Sequence, residues 1–499
     1  MESILKRGEA MLLQDLLSAL PFFTSKNLKQ KLHINDIHMD HRNVSEGDIF
    51  VCIKGFTVDG HQFAEAAVQN GAAVIVSEKE LTFENATTII VPDTNRALAI
   101  LAAKFYGYPT SALPLVGVTG TNGKTTMTYL LDAICKEHGK KTGLIGTIQM
   151  KIGDETFAIQ NTTPDALHLQ KSFKQMVDKD VDVAVMEVSS HALDLGRVYG
   201  CDFDVAVFTN LSQDHLDYHK DMSDYLRAKT LLFTGLGNTY ANDKKYAVLN
   251  ADDKYSEFIA KSTAQHILTY GLEKDADVKA SNINLKIDGT SFTLSSPVGE
   301  IEIESNLIGK FNVYNMLAAA SAAIVLDIPL TTIKTALEKV KGVAGRFEQV
   351  IAGQNYAVIV DYAHTPDSLE NVLQTIHEFK EGKVYVVVGT GGDRDRTKRP
   401  LMAEVAVKYS DEAIFTSDNP RTEDPKQILN DMITGLSASN YEVIENRKDA
   451  IYEAIDRAEE GDIVLIAGKG HETYQEINGV RYDFDDRVIA KEAIEKKGI

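Results

Sequence analysis

Lys124 stands in the surroundings that most restrict the chemistry open to this chain. It lies in Gly117-Val118-Thr119-Gly120-Thr121-Asn122-Gly123-Lys124-Thr125-Thr126, a glycine-rich turn ending in Gly-Lys-Thr-Thr. Glycines at 117, 120 and 123 let backbone N–H groups turn towards a phosphate at a helix N-terminus. The lysine adds a point charge, and the Thr125 hydroxyl can ligate Mg²⁺. The general pattern G-x-x-x-x-G-K-[ST] fits loosely, since position 118 is valine and Gly117 comes one residue early. The run Leu113 to Val116 before the turn reads as a strand and Met127 to Cys135 after it as a helix, the context a phosphate loop requires. The plainer alternative is a glycine turn with a solvated lysine. Gly-Lys-Thr-Thr between strand and helix is the more restrictive combination, so an ATP site is the working premise.

Two later apolar runs end in polar clusters, Glu187-Val188-Ser189-Ser190-His191 and Thr209 to His219. Ligand sites of open α/β sheets lie beyond the carboxyl ends of strands, so both clusters are expected to face the phosphate loop. Glu187 and His215 thereby become candidate Mg²⁺ ligands. A strand-end salt bridge for the glutamate and a hydrogen-bonded structural role for the histidine are the alternatives.

The elements that position these residues form an α/β chain in three parts. Ile49 to Ile53 and Ala73 to Val76 read as buried strands with a helix, Phe63 to Gln69, between them. Leu98 to Tyr106 reads as a helix ended by Gly107-Tyr108-Pro109. Strands Leu144 to Gly146, Val183 to Val188 and Val205 to Phe208 alternate with helical stretches such as Leu167 to Val177, which implies a mostly parallel sheet covered on both faces. Ser281 to Glu304 alternates as strands around a hairpin turn at Asp288-Gly289, and an Ala-rich helix spans Met316 to Val325. A third α/β unit carries strands at Ala357 to Asp361, Lys383 to Val388, Glu412 to Thr416 and Asp462 to Ala467, each followed by a loop rich in Gly, Asp, Arg or His.

Composition excludes several classes. Apolar and charged fractions of 44% and 25% over 499 residues are those of a globular protein with large cores. A net charge of −20 argues against nucleic-acid binding and means that a nucleotide must be met by a local basic cluster. Cys52, Cys135 and Cys201 form no C-x-x-C pair, as expected of a reducing cytoplasm. Lys6 and Arg7 are followed by Gln14 and Asp15 rather than a signal-peptide core, and Leu317 to Leu330 is too short and too interrupted to span a bilayer. No membrane association is expected, and the default oligomeric state is a monomer.

Six motifs in order resemble those of the Mur ligases of peptidoglycan synthesis. They are Gly-Thr-Asn-Gly-Lys-Thr-Thr (120–126), Met-Glu-Val-Ser-Ser-His (186–191), Asp-His-Leu-Asp-Tyr-His (214–219), Ala-Gly-Arg-Phe-Glu (344–348), Asp-Tyr-Ala-His-Thr-Pro-Asp-Ser-Leu (361–369) and Gly-Lys-Gly-His-Glu (468–472). Within the family the chain is similar to the members that add the third residue of the stem peptide to UDP-N-acetylmuramoyl-L-alanyl-D-glutamate. Asp418-Asn419-Pro420-Arg421 resembles the signature of those adding meso-diaminopimelate; lysine-adding members lack the arginine.

The resemblance implies a small N-terminal α/β domain binding the UDP-sugar (1–108), a central ATP-binding phosphate-loop domain with a mostly parallel sheet (109–341), and a C-terminal Rossmann-like domain binding the amino acid (342–499). It implies that ATP phosphorylates the D-glutamyl γ-carboxylate and that the amine displaces phosphate from the acyl phosphate. Gly120, Thr121, Asn122, Gly123, Lys124, Thr125 and Thr126 would hold the ATP phosphates, with Asn315, Arg346 and Asp361 on the nucleotide. Thr125, Glu187, His215 and Lys229 would hold Mg²⁺, Lys229 as a carbamate. By residue type alone, Lys229 is a solvated helical lysine. Lys124, Lys229, Glu187 and His215 form the catalytic set.

Asp40, Arg42, Asn161, Thr162, Thr163, Ser190 and Arg197 match positions that contact the muramoyl dipeptide, with His41 where the family usually has serine. Arg394, Asp418, Asn419, Pro420, Arg421, Gly468 and Glu472 match the diaminopimelate pocket, Arg421 for the distal carboxylate and Glu472 for the distal ammonium. Lysine-adding or folyl-polyglutamate-type ligases on the same fold, and a paralogue that binds the muramoyl nucleotide without turnover, are the alternatives.

Overall fold

A computed structural model of the chain describes residues 10–29, 31–55, 58–159, 161–239, 244–286 and 289–498. Lys6, Arg7 and Asp288 of the expected turn lie outside them. Short apolar runs rich in Val and Ile make buried parallel strands, and these build three separate sheets. The first has five strands in the order Thr24–Lys26, Thr87–Ile90, Val74–Ser77, Ile49–Val51, Ile37–His38, parallel except for the Thr24–Lys26 edge.

The central sheet has eleven strands. Leu115–Thr119 lies inside it, between Val183–Glu187 and Val205–Phe208, with Thr142–Ile145 beyond the first and Tyr246–Asn250 and His266–Gly271 beyond the second. All of these are parallel, and antiparallel hairpins extend both edges. Side chains alternate between faces: Val116, Val118, Val185 and Val207 pack under the helices Lys124–Glu137 and Lys310–Val325, while Leu115, Met186, Ala206 and Phe208 join the core on the other face. The third sheet has six strands, with Ala357–Asp361, Ile463–Ala467, Val384–Val388 and Glu412–Phe415 adjacent and parallel in that order. It too is covered on both faces.

The strand before the phosphate loop runs later than its sequence suggests. It is Leu115–Thr119, not Leu113 to Val116, and Gly117 lies within it rather than in the loop. A Cβ on Gly117 would come within 2.6 Å of the Phe203 ring, so this glycine serves close packing and offers nothing to a phosphate. That explains the loose motif: the working loop is Gly120 to Gly123. The expected helix at Leu98 to Tyr106 is Thr94–Phe105, started by the Asp93 side chain, which accepts from the Arg96 N–H. No helix among the described residues is long and apolar enough to cross a membrane.

Candidate active site

The order of strands makes a switch point at Leu115–Thr119, where chain connections depart to both sides, and the loop after it opens into that crevice. Gly120 at φ 152° and Gly123 at φ 84° make the turn, and Lys124 begins the helix. The loop is laced to the next strand's polar end. Asn210 accepts from the Thr121 N–H through its carbonyl at 2.8 Å and from the Asn122 N–H through Oδ1 at 2.9 Å, and Thr209 Oγ1 donates to Asn122 O at 2.6 Å. Lys124 Nζ folds back on Gly120 O (3.0 Å) and Thr121 O (2.8 Å). Thr126 is buried in the first helical turn.

Glu187 is the end residue of Val183–Glu187 and pairs in register with Val118, which places its carboxylate beside the loop. It is fully buried. Thr125 Oγ1 donates to Oε2 at 3.0 Å, Thr147 Oγ1 to the same oxygen at 3.0 Å, and the Thr147 N–H to Oε1 at 2.7 Å. The salt-bridge alternative is therefore replaced by three uncharged donors, two hydroxyls and a backbone N–H. Lys229, on the helix Met222–Thr234, is 1% exposed and donates to Gly120 O at 2.8 Å, with its Nζ 4.5 Å from the Tyr225 ring centroid. It is not a solvated lysine. Burial, reinforced by the Lys124 charge, holds its pKa well below the ordinary lysine value.

His215 has a left-handed backbone, φ 55°, and its ring packs edge-on against His191 at 4.9 Å. Burial lowers its pKa to about 4, so at neutral pH it is an uncharged imidazole able to act as a ligand. Among the described residues no group of three or more His, Cys, Asp or Glu is set to hold a metal. Mg²⁺ is held in nucleotide sites by one or two protein oxygens together with phosphates and water, and the adjacent Thr125 and Glu187 oxygens fit that pattern.

The third sheet overhangs the loop. Arg346 Nη2 donates to Thr125 Oγ1 at 3.1 Å, and its guanidinium lies 4.7 Å from the Tyr362 ring centroid. Its Nε is buried without a partner, a donor left for a ligand. Asp361 is buried and accepts from the Phe347 N–H at 2.7 Å; burial raises its pKa to about 6. Asn315 faces Gly123, where a Cβ would meet its Oδ1 at 2.4 Å.

On the other side of Glu187, Thr162 Oγ1 lies 3.1 Å from Thr147 Oγ1, Thr163 Oγ1 donates to Glu187 O at 2.9 Å, and Arg197 Nη1 donates to Thr163 O at 3.0 Å. Ser190 bonds His219 Nε2 at 2.9 Å, and Asn161 is exposed beside them. Asp40 and Arg42 stand apart in the first sheet unit, bonded to each other. The Arg42 guanidinium, against the effect of burial, brings Asp40 down to about 2. His41 stacks on Phe63, centroids 4.5 Å apart and 4° from parallel.

The remaining candidates gather at the carboxyl ends of Glu412–Phe415 and Ile463–Ala467. Gly468 has φ 114°, and a Cβ there would lie 2.8 Å from Asp418 Oδ2. Pro420 is buried, and Arg421 is left-handed at φ 51°, held by its N–H on Glu476 O (3.0 Å) and its own carbonyl on the Asn478 N–H. Its Nη1 donates to Gly392 O at 2.6 Å. Arg394 is exposed and bonds Asp393 O, within reach of the same Gly391 backbone as Arg421. Asn419 Nδ2 donates to Glu472 Oε2 at 2.8 Å.

Sequence reasoning assigned no role to Thr147, Asn210, Asp367, Lys398 and Lys469. Asn210 lay inside the Thr209 to His219 cluster, and Asp367 and Lys469 inside motifs that could have singled them out; Thr147 and Lys398 lay in neither.

A phosphate loop at the switch point of one doubly wound sheet, completed by an arginine from a second, defines a nucleotide-using enzyme assembled from separate α/β units. Residues 33–106 match the Mur ligase family catalytic domain, 118–323 the Mur ligase middle domain, and 345–470 the Mur ligase glutamate ligase domain. The chain belongs to the Mur ligase family. It is 60% identical over 492 residues to a protein of Oceanobacillus iheyensis named UDP-N-acetylmuramoyl-L-alanyl-D-glutamate–2,6-diaminopimelate ligase, covering 98% of this chain and 100% of the relative. A Bacillus cereus protein of the same name is 58% identical, with 93% and 95% covered. A solved structure bearing that ligase name superposes with a TM-score of 0.70 at 36% identity, covering 98% and 99%. A folylpolyglutamate synthase of Mycobacterium tuberculosis, at 18% identity, shares the fold over 81% of this chain with a TM-score of 0.63.

Proposed function

We propose that this chain is an ATP-dependent amide ligase that joins meso-2,6-diaminopimelate to the D-glutamyl γ-carboxylate of UDP-N-acetylmuramoyl-L-alanyl-D-glutamate. The observation that carries it is the 3.1 Å bond from Arg346 to Thr125, which joins an arginine of the third unit to the phosphate loop. The full-length likeness to relatives named for this reaction supports the acceptor.

In this reading a substrate carboxylate oxygen attacks the γ-phosphorus and ADP leaves. The acceptor amine then attacks the acyl carbon, loses a proton, and phosphate departs with the C–O electron pair. Lys124 leaves its two loop carbonyls for the phosphates, and Arg346 stabilises the charge spread over the transferring group. Thr125, Glu187, His215 and Lys229 would hold Mg²⁺, which would supply charge neutralisation for the phosphates. Lys229, buried and with its pKa pushed well down by that burial, is suited to carry a carbamate. Asn161, Thr162, Thr163, Ser190 and Arg197 would receive the dipeptide end, and Asp40 and Arg42 the uridine end.

The domains proposed around the three sheets are 1–108, 109–341 and 342–499. The proposed state is a monomer, and three free cysteines fit a cytoplasmic enzyme.

The test is phosphate release with ATP, Mg²⁺ and the muramoyl dipeptide nucleotide, comparing meso-diaminopimelate with L-lysine. Release with diaminopimelate and little with lysine is expected, because lysine leaves Arg421 without a carboxylate. Preference for lysine would sink the acceptor assignment, and no release with either would sink the ligase reading.

A further inference from the structure

Beneath Glu472 lies an ammonium group that no step above uses. Lys469 is 0% exposed, while Glu472 retains 16%. Its Nζ donates to Glu472 Oε2 at 2.9 Å and to Asn419 Oδ1 at 3.0 Å, and lies 5.4 Å from the Tyr474 ring centroid. Asn419 closes the set by donating its Nδ2 to the same Glu472 oxygen at 2.8 Å and by accepting from the Glu476 N–H at 2.9 Å. Lys469 thus holds both the carboxylate and the amide of the pocket in one arrangement. It also sets a fixed positive charge against the group expected to attract the substrate's distal ammonium.

We propose that Lys469 is a specificity-determining residue, an internal counter-ion that cancels Glu472 so that the pocket favours an acceptor whose far end is a zwitterion over one whose far end is a bare ammonium. The proposal rests on the functional reading above. With Lys469 present, Glu472 is already paired, whereas Arg421 and Arg394 are held on the Gly392 and Asp393 carbonyls, and an acceptor with a distal carboxylate meets that cationic side. Remove the Lys469 charge and the pocket becomes more negative by one charge. A distal group carrying both charges has no net charge and gains little, whereas a bare ammonium gains the full attraction of an unopposed carboxylate a few ångströms away. Arginine at 469 would keep the charge; glutamine would keep donors for Glu472 and Asn419 without it.

The experiment measures kcat/KM for meso-diaminopimelate and for L-lysine, with KM for ATP, in the wild type, Lys469→Gln, Lys469→Met and Lys469→Arg, each checked by thermal melting. The expected result is a diaminopimelate-to-lysine preference reduced about tenfold or more in Lys469→Gln and Lys469→Met, kept in Lys469→Arg, with KM for ATP unchanged throughout. A preference that survives Lys469→Gln, or a loss equal for both acceptors, overturns the proposal and leaves the ligase reading standing. Failure of both neutral variants to fold makes the lysine purely structural and overturns it as well. A wild type that favours lysine or uses neither acceptor overturns the functional reading, and this proposal with it.

Discussion

Two ammonium groups converge on one carbonyl oxygen, that of Gly120, with Lys124 Nζ at 3.0 Å and Lys229 Nζ at 2.8 Å. Burial and mutual repulsion push Lys229 towards the neutral amine, the form that adds CO₂ to become an anionic ligand. Lys229→Arg keeps a donor but stays charged. It should lower kcat by about 10² to 10³-fold with little change in KM for the amino acid, and mass spectrometry of the intact wild type should find one added CO₂ that the variant lacks. An unmodified wild type with full activity would remove the carbamate. Asp361 makes the opposite case, a carboxyl raised by burial from 3.8 to about 6. Between those values the folded state binds more protons than the unfolded at this group, so its contribution to stability is greatest below about pH 4, falls as pH rises to about 6, and stays reduced above. The loss corresponds to roughly 3 kcal/mol. Asp361→Asn keeps an acceptor for the Phe347 N–H, so denaturation across pH 4 to 8 should show the variant gaining on the wild type through that window. Parallel curves would refute the buried charge.

At the scale of elements, the phosphate loop works because Gly123 takes φ 84° directly against Asn315. A Cβ there meets the Asn315 amide oxygen at 2.4 Å and strains a left-handed backbone by about 1–3 kcal/mol. Gly123→Ala should therefore raise KM for ATP about tenfold or more and lower the unfolding free energy by that amount, read by nucleotide titration and chemical denaturation. Normal ATP binding in the variant would mean the loop does not cradle phosphate. The Gly-Lys-Thr-Thr loop and most central and C-terminal strands were legible because each is a local pattern, an apolar run ending in Gly, Asp or His. Tyr246–Asn250 and His266–Gly271 were not, since short mixed runs do not separate strand from helix by periodicity. Gly117 was misread because its reason is the Phe203 ring, which only folding brings to it. The same holds for the partners of the site: Thr147 reaches Glu187 across 40 residues and Lys469 reaches Asn419 across 50, and no spacing rule carries that information.

At the scale of the molecule, the third unit meets the central one through an apolar contact, Ile308 and Phe311 packed into the third unit's core, and through polar contacts around the loop. Asp367, in the first turn of Pro366–His377, accepts from Asn122 Nδ2 at 3.1 Å and Ser212 Oγ at 2.7 Å, both in the central unit. Lys398 pairs with Asp214 at 3.1 Å, and Arg346 bonds Thr125. Against burial, His215 and Lys398 bring Asp214 down to about 2, so its carboxylate stays charged throughout the physiological range. The polar contacts around the loop resemble those of units that move relative to one another, with the Ile308 and Phe311 packing left as the point they would move about, and they hold Arg346 where the phosphates would bind. Asp367→Ala removes the acceptor for two bonds from the central unit while leaving the third unit's core intact. The closed arrangement should become less populated, so KM for ATP should rise about tenfold, the apparent affinity falling with the fraction of competent molecules. Small-angle scattering without ligand should show a larger radius of gyration than the wild type, and saturating ATP with the muramoyl nucleotide should bring the two together. Raised ionic strength should widen the wild type in the same direction by screening Lys398–Asp214. A variant with unchanged scattering and unchanged KM for ATP would show that closure does not depend on Asp367, leaving Arg346, Lys398 and the Ile308 and Phe311 packing to hold the units together.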